Sequence, residues 1–355
     1  MRQNNPPPSS VITEVQGKKP ARQSGIELLR IISMLFVVLM HINSFEFLNP
    51  CNQELASNQP LFTSFRFLLE SRVIVGVNCF ILISGWFGIR ANGKGVLKFV
   101  FQVAFLYFLV YLALIILGLR PVSISHLLSC FTLGYWFVHS YLILYIISPI
   151  LNAFIDNSSK KTLATVLFGL LIYQTVYGWI KPVSEPIAMG YSPISFIGLY
   201  LLARYLRLYG DKILQWKSTW LVLLIFGCVV INTLCSQVLA MTGHDALIKQ
   251  LFYYCNPLLI IQAVAVLLLF SRMKFQSRFI NWMAGSCFAI YLIHMHPMVR
   301  DYFFAKVGEI WSLSDPSIVL GYFVLLIFII YIVSILVDKF RLLVWDSMFK
   351  LYDRR

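Results

Sequence analysis

The chain has 355 residues, of which 59% are hydrophobic and only 12% charged, with a mean hydropathy of +0.77. Soluble domains carry about 25% charged and about 45–50% apolar residues, so these proportions exclude a soluble globular protein: too few charges are present to coat a core this large, and lipid must be the solvent for most of it. The formal charge of +14 does not indicate a nucleic-acid partner, because Lys and Arg fall in short breaks between apolar runs rather than in one basic module.

The expected fold is an all-α, polytopic membrane helix bundle. Residues 1–24 are polar and Pro-rich, with Lys18, Lys19 and Arg22, and read as a disordered tail rather than a secretory signal. A spanning helix needs about 20 mainly apolar residues. Ten segments approach that length: 26–45, 73–89, 99–118, 131–154, 162–180, 192–209, 219–241, 250–270, 280–299 and 317–338. The second is short and contains Asn78, and the fourth is long enough to tilt or to break at Pro149. The membrane domain is expected over 25–340, followed by a basic tail over 341–355. With the N-terminus in the cytoplasm and ten alternating spans, 22 of the 29 Lys and Arg fall inside and 7 outside. Both termini are therefore expected in the cytoplasm. Six of the seven cysteines lie in or at the edge of apolar runs, and no CxxC occurs, so they read as small hydrophobes. Cys51 sits in a polar loop.

A polar or ionisable side chain within lipid is a functional candidate by default, because it costs several kcal/mol unless it faces the bundle interior. The first span, GIELLRIISMLFVVLMHINSF, places Arg30 and His41 eleven residues apart. At 100° per residue they lie about 20° from three full turns, on one stripe and about 16 Å apart along the axis. Glu27, three residues before Arg30, lies near the same stripe and can pair with it. Arg30 reads either as a positive-inside anchor or as a functional cation; His41 reads either as a buried, hydrogen-bonded His or as a base. The chemistry that needs both is acyl transfer to a hydroxyl. A neutral imidazole takes the proton of a poor nucleophile, and a guanidinium offers a planar fork of donors for phosphate.

Four blocks along the chain are similar to those of a known family. The first is the Arg-x10-His pattern at Arg30 and His41, and the second is GVNCFILISGWFGI with Phe80, Ser84, Gly85 and Trp86. The third is YWFVHSYLILYIISPILN with Trp136, Phe137, Tyr145 and Pro149, and the fourth is GSCFAIYLIHMHP with Ser286, Ile290, Tyr291, Leu292 and His294. In this order they resemble the integral-membrane acyltransferases that O-acylate bacterial surface glycans, the type-three acyltransferases. The resemblance implies a multi-pass protein of the bacterial cytoplasmic membrane with acetyl coenzyme A as co-substrate and no bound cofactor. It also implies a cell-surface or lipid-linked glycan as acceptor, His41 as the catalytic His, and Arg30 supporting it or binding the donor. Many members carry an Arg-x-x-Arg pair after the second or third span, whereas here the comparable break holds Arg90, Lys94 and Lys98, expected to take that donor-binding role. An Arg-x-x-Arg at Arg204 and Arg207 reads as inside-loop anchoring.

Other candidates remain divided between site and scaffold. Ser84-Gly85 lacks the flanking glycines of a nucleophile elbow and reads better as small-residue helix packing. Tyr135 and Trp136 suit either ring stacking or a membrane interface. His139, on their side of the helix, lines a cavity or is internally bonded. Tyr291 and His294 are carried by the resemblance, although capping by His294 and His296 before Pro297 is the alternative. His126 and His244 with Asp245 read as solvated turns. The six His show no metal-site spacing. A transporter or flippase of a glycan precursor, or a non-catalytic acyltransferase-like partner, are the competing functions; a transporter should show inverted repeats, and none is apparent.

Overall fold

The computed structural model describes residues 22–43, 53–129, 134–181 and 187–352. The expected disorder of the N-terminal tail, the loop around Cys51, Cys130 and the last three residues fall outside them. Among the described residues the structure is helical, with no strand. The first half comprises α1 (Ser24–Asn43), α2 (Gln53–Asn58), α3 (Pro60–Val73), α4 (Gly76–Phe87), α5 (Gly93–Ile116), α6 (Ile124–Leu128), α7 (Trp136–Asn157) and α8 (Lys160–Gln174). The second comprises α9 (Pro193–Tyr209), α10 (Asp211–Leu214), α11 (Ser218–Met241), α12 (Asp245–Leu251), α13 (Pro257–Ser271), α14 (Arg278–Ala284), α15 (Cys287–His294), α16 (Arg300–Trp311) and α17 (Pro316–Tyr352).

Among the described residues, seven stretches are long and apolar enough to cross a membrane: α1, Pro60–Phe87, α5, α7, Lys160–Ile180, α11 and Pro316–Met348. The chain is a multi-pass membrane protein. Pro60–Phe87 is the most deeply buried of the seven and Pro316–Met348 the least, so the first passes through the middle of the bundle and α17 lies at its rim.

Three departures from the expected spans have local causes. The second span is longer than 73–89, because α3 and α4 run on from one another across a turn at Ile74 and Val75. Arg66 and Glu70 of α3 obscure that run in the sequence, yet both are buried and hydrogen-bonded to Asn43 of α1. The fourth span does not break at Pro149: α7 is continuous to Asn157, and the Tyr145 carbonyl that Pro149 leaves without an amide donor accepts the Ser148 hydroxyl at 2.8 Å. The ninth span is not one helix. A turn at Gly285 and Ser286 divides it into α14 and α15. The eight residues of α15 span only about 12 Å.

The polar and small residues of the second span are explained by packing. Asn78 Nδ2 donates to the Tyr254 carbonyl at 3.0 Å, just before α13 begins. A Cβ on Gly85 would stand 2.6 Å from the Tyr200 carbonyl oxygen, so only glycine lets α4 and α9 approach this closely. The end of α4 is then fixed by a closed ring of bonds. The Tyr200 hydroxyl accepts from the Ile89 amide at 3.0 Å and donates to Asn152 Oδ1 at 2.6 Å, while Asn152 Nδ2 donates to the Ile89 carbonyl at 2.8 Å. Ser84 is part of this scaffold: its hydroxyl donates to the Phe80 carbonyl at 3.0 Å and meets the Tyr141 hydroxyl at 3.2 Å.

Helix α1 occupies the centre, packed against α3, α4, α13, α14, α15 and α16. Its start is held by Ser24, whose hydroxyl meets Asn281 Oδ1 at 3.0 Å and accepts from the Ser277 amide at 2.9 Å. Its end is held by Trp311, whose indole nitrogen donates to the Ile42 carbonyl at 2.9 Å. The stripe that carries Arg30 and His41 is thereby fixed at both ends.

Candidate active site

Near the C-terminal end of α1 the bundle encloses a cavity of about 600 Å³. Its walls are apolar from α1, the α3–α4 turn and α4 (Met34, Val37, Ile74, Val77) and aromatic from α7 and α15 (Trp136, Phe137, Phe288, Tyr291), and its polar groups include His41, Glu70, Lys249 and Arg300. Trp136 lies nearly parallel to Tyr254, with ring centroids 5.9 Å apart and planes 23° apart.

His41 does not stand alone. Its Nδ1 lies 2.9 Å from Nε2 of His294, and His294 Nδ1 lies 2.5 Å from the Ile290 carbonyl oxygen one turn earlier on α15. A carbonyl can only accept, so His294 Nδ1 carries a proton; the remaining nitrogen of that neutral ring then accepts. His41 must therefore donate through Nδ1, which leaves its Nε2 with an unprotonated lone pair. The chain Ile290 carbonyl, His294, His41 sets the tautomer that a general base requires. His294 is buried, and Phe303 packs against its ring at 5.5 Å.

A second buried network braces the same wall. Asn43, two residues beyond His41, donates through Nδ2 to Glu70 Oε2 at 2.7 Å and to the Arg66 carbonyl at 3.2 Å. Arg66 Nε donates to Asn43 Oδ1 at 3.3 Å, and one of its terminal nitrogens donates to the Asn43 carbonyl at 2.7 Å. Sequence reasoning missed all three residues. The available signal was Arg66 and Glu70 one turn apart in an otherwise apolar run from 60 to 87.

At the other end of α1 lies a cavity of about 500 Å³ whose walls carry Arg22, Lys98, Lys339 and Arg341. Arg341 Nε donates to Asp338 Oδ1 at 2.7 Å, and Gln102 donates to the same oxygen at 3.1 Å. One terminal nitrogen of Arg341, Nη1, is buried without a hydrogen-bond partner. The start of α1 at Ser24 lies about 26 Å from the level of His41 at 1.5 Å per residue. The two cavities approach one another at four rings. Phe99 and Tyr141 line the cationic cavity, and Phe137 and Phe288 line the one holding His41. Phe99 stacks on Phe288 at 5.6 Å and Phe137 on Tyr141 at 5.7 Å.

The residues singled out from the sequence separate clearly. His41, Trp136 and Tyr291 line the first cavity, and His294 supports His41 from behind. Tyr135 is buried behind the wall, its hydroxyl donating to the Leu292 carbonyl at 2.7 Å. His139 lines neither cavity and is exposed, because it sits about 200° around α7 from the inward-facing Phe137. Arg30 pairs with Glu27 at 3.2 Å and lines neither cavity. Of Arg90, Lys94 and Lys98, only Lys98 reaches the cationic cavity. His296 braces the turn between α15 and α16 rather than capping α15: its Nδ1 accepts the Met298 amide at 3.1 Å and its carbonyl accepts the Arg300 amide at 2.9 Å. Arg207 lies over Trp86 at 4.7 Å, packing the end of α9 on α4.

Residues 23–338 match the family model described as "Acyltransferase domain". No curated protein and no solved structure matches the chain at a significant level.

Proposed function

The chain belongs to the type-three acyltransferase family, and on that premise we propose that it moves an acyl group, acetyl in the simplest case, from coenzyme A to a hydroxyl of a cell-surface or lipid-linked glycan. The observation that carries this reading is the His41–His294 contact at 2.9 Å, which leaves the other imidazole nitrogen of His41 free to accept a proton at a cavity of about 600 Å³. In this reading the chain crosses the bacterial cytoplasmic membrane ten times, with α9, α13 and the α14–α15 pair completing the seven long spans and both termini in the cytoplasm. The cationic cavity then opens to the cytoplasm, where the donor is made, and the His41 cavity lies toward the outer face.

Four cations around one cavity, with an unsatisfied guanidinium nitrogen on Arg341, suit the phosphates of coenzyme A. The acyl-bearing arm would thread the constriction formed by Phe99, Tyr141, Phe137 and Phe288. His41 Nε2 takes the proton of the acceptor hydroxyl as its oxygen attacks the thioester carbonyl. The new C–O bond forms, the C–S bond breaks, and His41 returns the proton to the departing thiolate, so that free thiol and ester appear in equal amounts. Arg30, paired with Glu27 on the same helix, acts on this chemistry through its field and through the placement of α1.

Two experiments test the reading. Purified protein in lipid nanodiscs, given acetyl coenzyme A and envelope glycans, is expected to release thiol and form glycan ester in a one-to-one ratio. Thiol release without ester, or neither product, contradicts it. Among the cations named from the sequence, Lys98→Gln is expected to raise the KM for acetyl coenzyme A about threefold to tenfold. Lys94→Gln, whose residue lines neither cavity, is expected to leave that constant within about twofold. Equal effects of the two would move the donor site away from the cationic cavity.

A further inference from the structure

Glu70 is a carboxylate only 5% exposed to solvent, yet it is part of the wall of the cavity that holds His41. A buried carboxylate costs several kcal/mol unless donors compensate it, and two elements here supply that compensation. Asn43 donates to Oε2 at 2.7 Å, and Arg66, which shares Asn43 through two bonds, places a guanidinium beside it. Asn43 also fixes the acceptor to the base, because it follows His41 by two residues on α1. A bundle that needed only to join α1 to α3 could do so with the Asn43–Arg66 bonds. Glu70 joins that network through Oε2, and the same side chain also forms part of the cavity wall, where it offers an acceptor to a bound molecule.

We propose that Glu70 is the residue that selects the acceptor. Its carboxylate receives a hydroxyl of a sugar ring packed against Trp136 and Tyr254, and a neighbouring hydroxyl of that ring is thereby presented to His41 Nε2. The inference rests on the acyl-transfer reading of the same cavity. The chemistry recognised is that of a pyranose with at least two free hydroxyls: one donates to Glu70 and the other is acylated. Carboxylates accept sugar hydroxyls strongly, and an aromatic wall covers the apolar face of a sugar ring. Lys249 and Arg300 line the same cavity, so the net charge of the sugar does not by itself set the preference; the hydroxyl pair does.

The test uses the full chain in nanodiscs with saturating acetyl coenzyme A and a panel of methyl glycosides of glucose, galactose, mannose and glucuronate, measuring ester formed. Glu70→Gln keeps the shape of the side chain and an oxygen for Asn43. It is expected to raise the KM for the best neutral glycoside by about tenfold to a hundredfold, the loss of one hydrogen bond to a charged group, with the KM for acetyl coenzyme A unmoved. Glu70→Asp is expected to recover part of that loss. Glu309→Gln, an exposed carboxylate paired with Lys306 at 2.7 Å, serves as the control and leaves both constants unchanged. An unchanged acceptor KM in Glu70→Gln overturns the proposal. So does failure of every glycoside on the wild type while envelope glycan is still acylated. If no acceptor, envelope glycan included, yields ester, the acyl-transfer reading itself fails and this inference falls with it.

Discussion

Replacing His41 by alanine is expected to slow ester formation by about 10²- to 10⁴-fold, the range that a positioned general base supplies. The variant should still insert and pack, because His41 contributes one ring at a cavity wall. The end of α1 is held independently by Trp311 on the Ile42 carbonyl and by Arg66 on Asn43. The loss should appear in kcat, with the KM for acetyl coenzyme A little changed, since the cationic cavity lies at the other end of the helix. Equal amounts of monodisperse wild-type and variant protein, assayed for ester by mass spectrometry, make the comparison. A residual rate within threefold of wild type would remove the base from the account.

His294→Ala is expected to lower kcat by on the order of 10²-fold although it touches no substrate, because His41 then loses the acceptor that fixes its tautomer. His294→Gln is the discriminating variant. A glutamine carbonyl oxygen reaches about where the imidazole Nε2 stood and can accept the His41 Nδ1 proton, so kcat should recover by at least about tenfold over alanine. A purely space-filling role for His294 beside Phe303 and Tyr291 predicts instead that His294→Leu, of similar size but without an acceptor, recovers as much as His294→Gln. Rates for the three variants at matched protein content separate the alternatives.

How far the sequence reveals this site depends on how local its geometry is. The Arg30–His41 stripe is legible because both residues lie on one helix, where spacing alone fixes the angle between them. The pairing of His41 with His294 is not, because it joins residues 253 apart on helices whose packing no periodicity states; His294 enters the sequence reading only through a family likeness. Glu70 and Arg66 were hidden for a further reason. Charges inside an apolar run lower its hydropathy, so the segment reads as the end of an outer loop, whereas Asn43 neutralises that cost across the helix interface. Lys339 and Arg341 read as membrane anchors for the same reason that makes them effective around a cavity: they gather at the end of a span. The split of the ninth span at Gly285 and Ser286 was visible as a pair of small residues, but only the packing of α14 and α15 against α1 shows that the chain turns there.

The division of labour along α1 also explains the two-ended architecture. Its first turn carries Glu27 at the end where cations gather, and its last turn carries His41 in a second cavity, with the rings of Phe99, Tyr141, Phe137 and Phe288 packed between the two linings. A helix fixed at both ends can hold these two environments in register across the thickness of the bundle.

The most direct test is the acyl-ester content of surface glycan from cells lacking the gene and complemented with wild type, His41→Ala or His41→Gln at equal membrane levels, read by mass spectrometry before and after mild alkali. The account predicts that wild type restores an alkali-labile acyl increment on the glycan and that both variants leave it at the level of the deletion. An increment in the His41→Ala cells equal to wild type would contradict it.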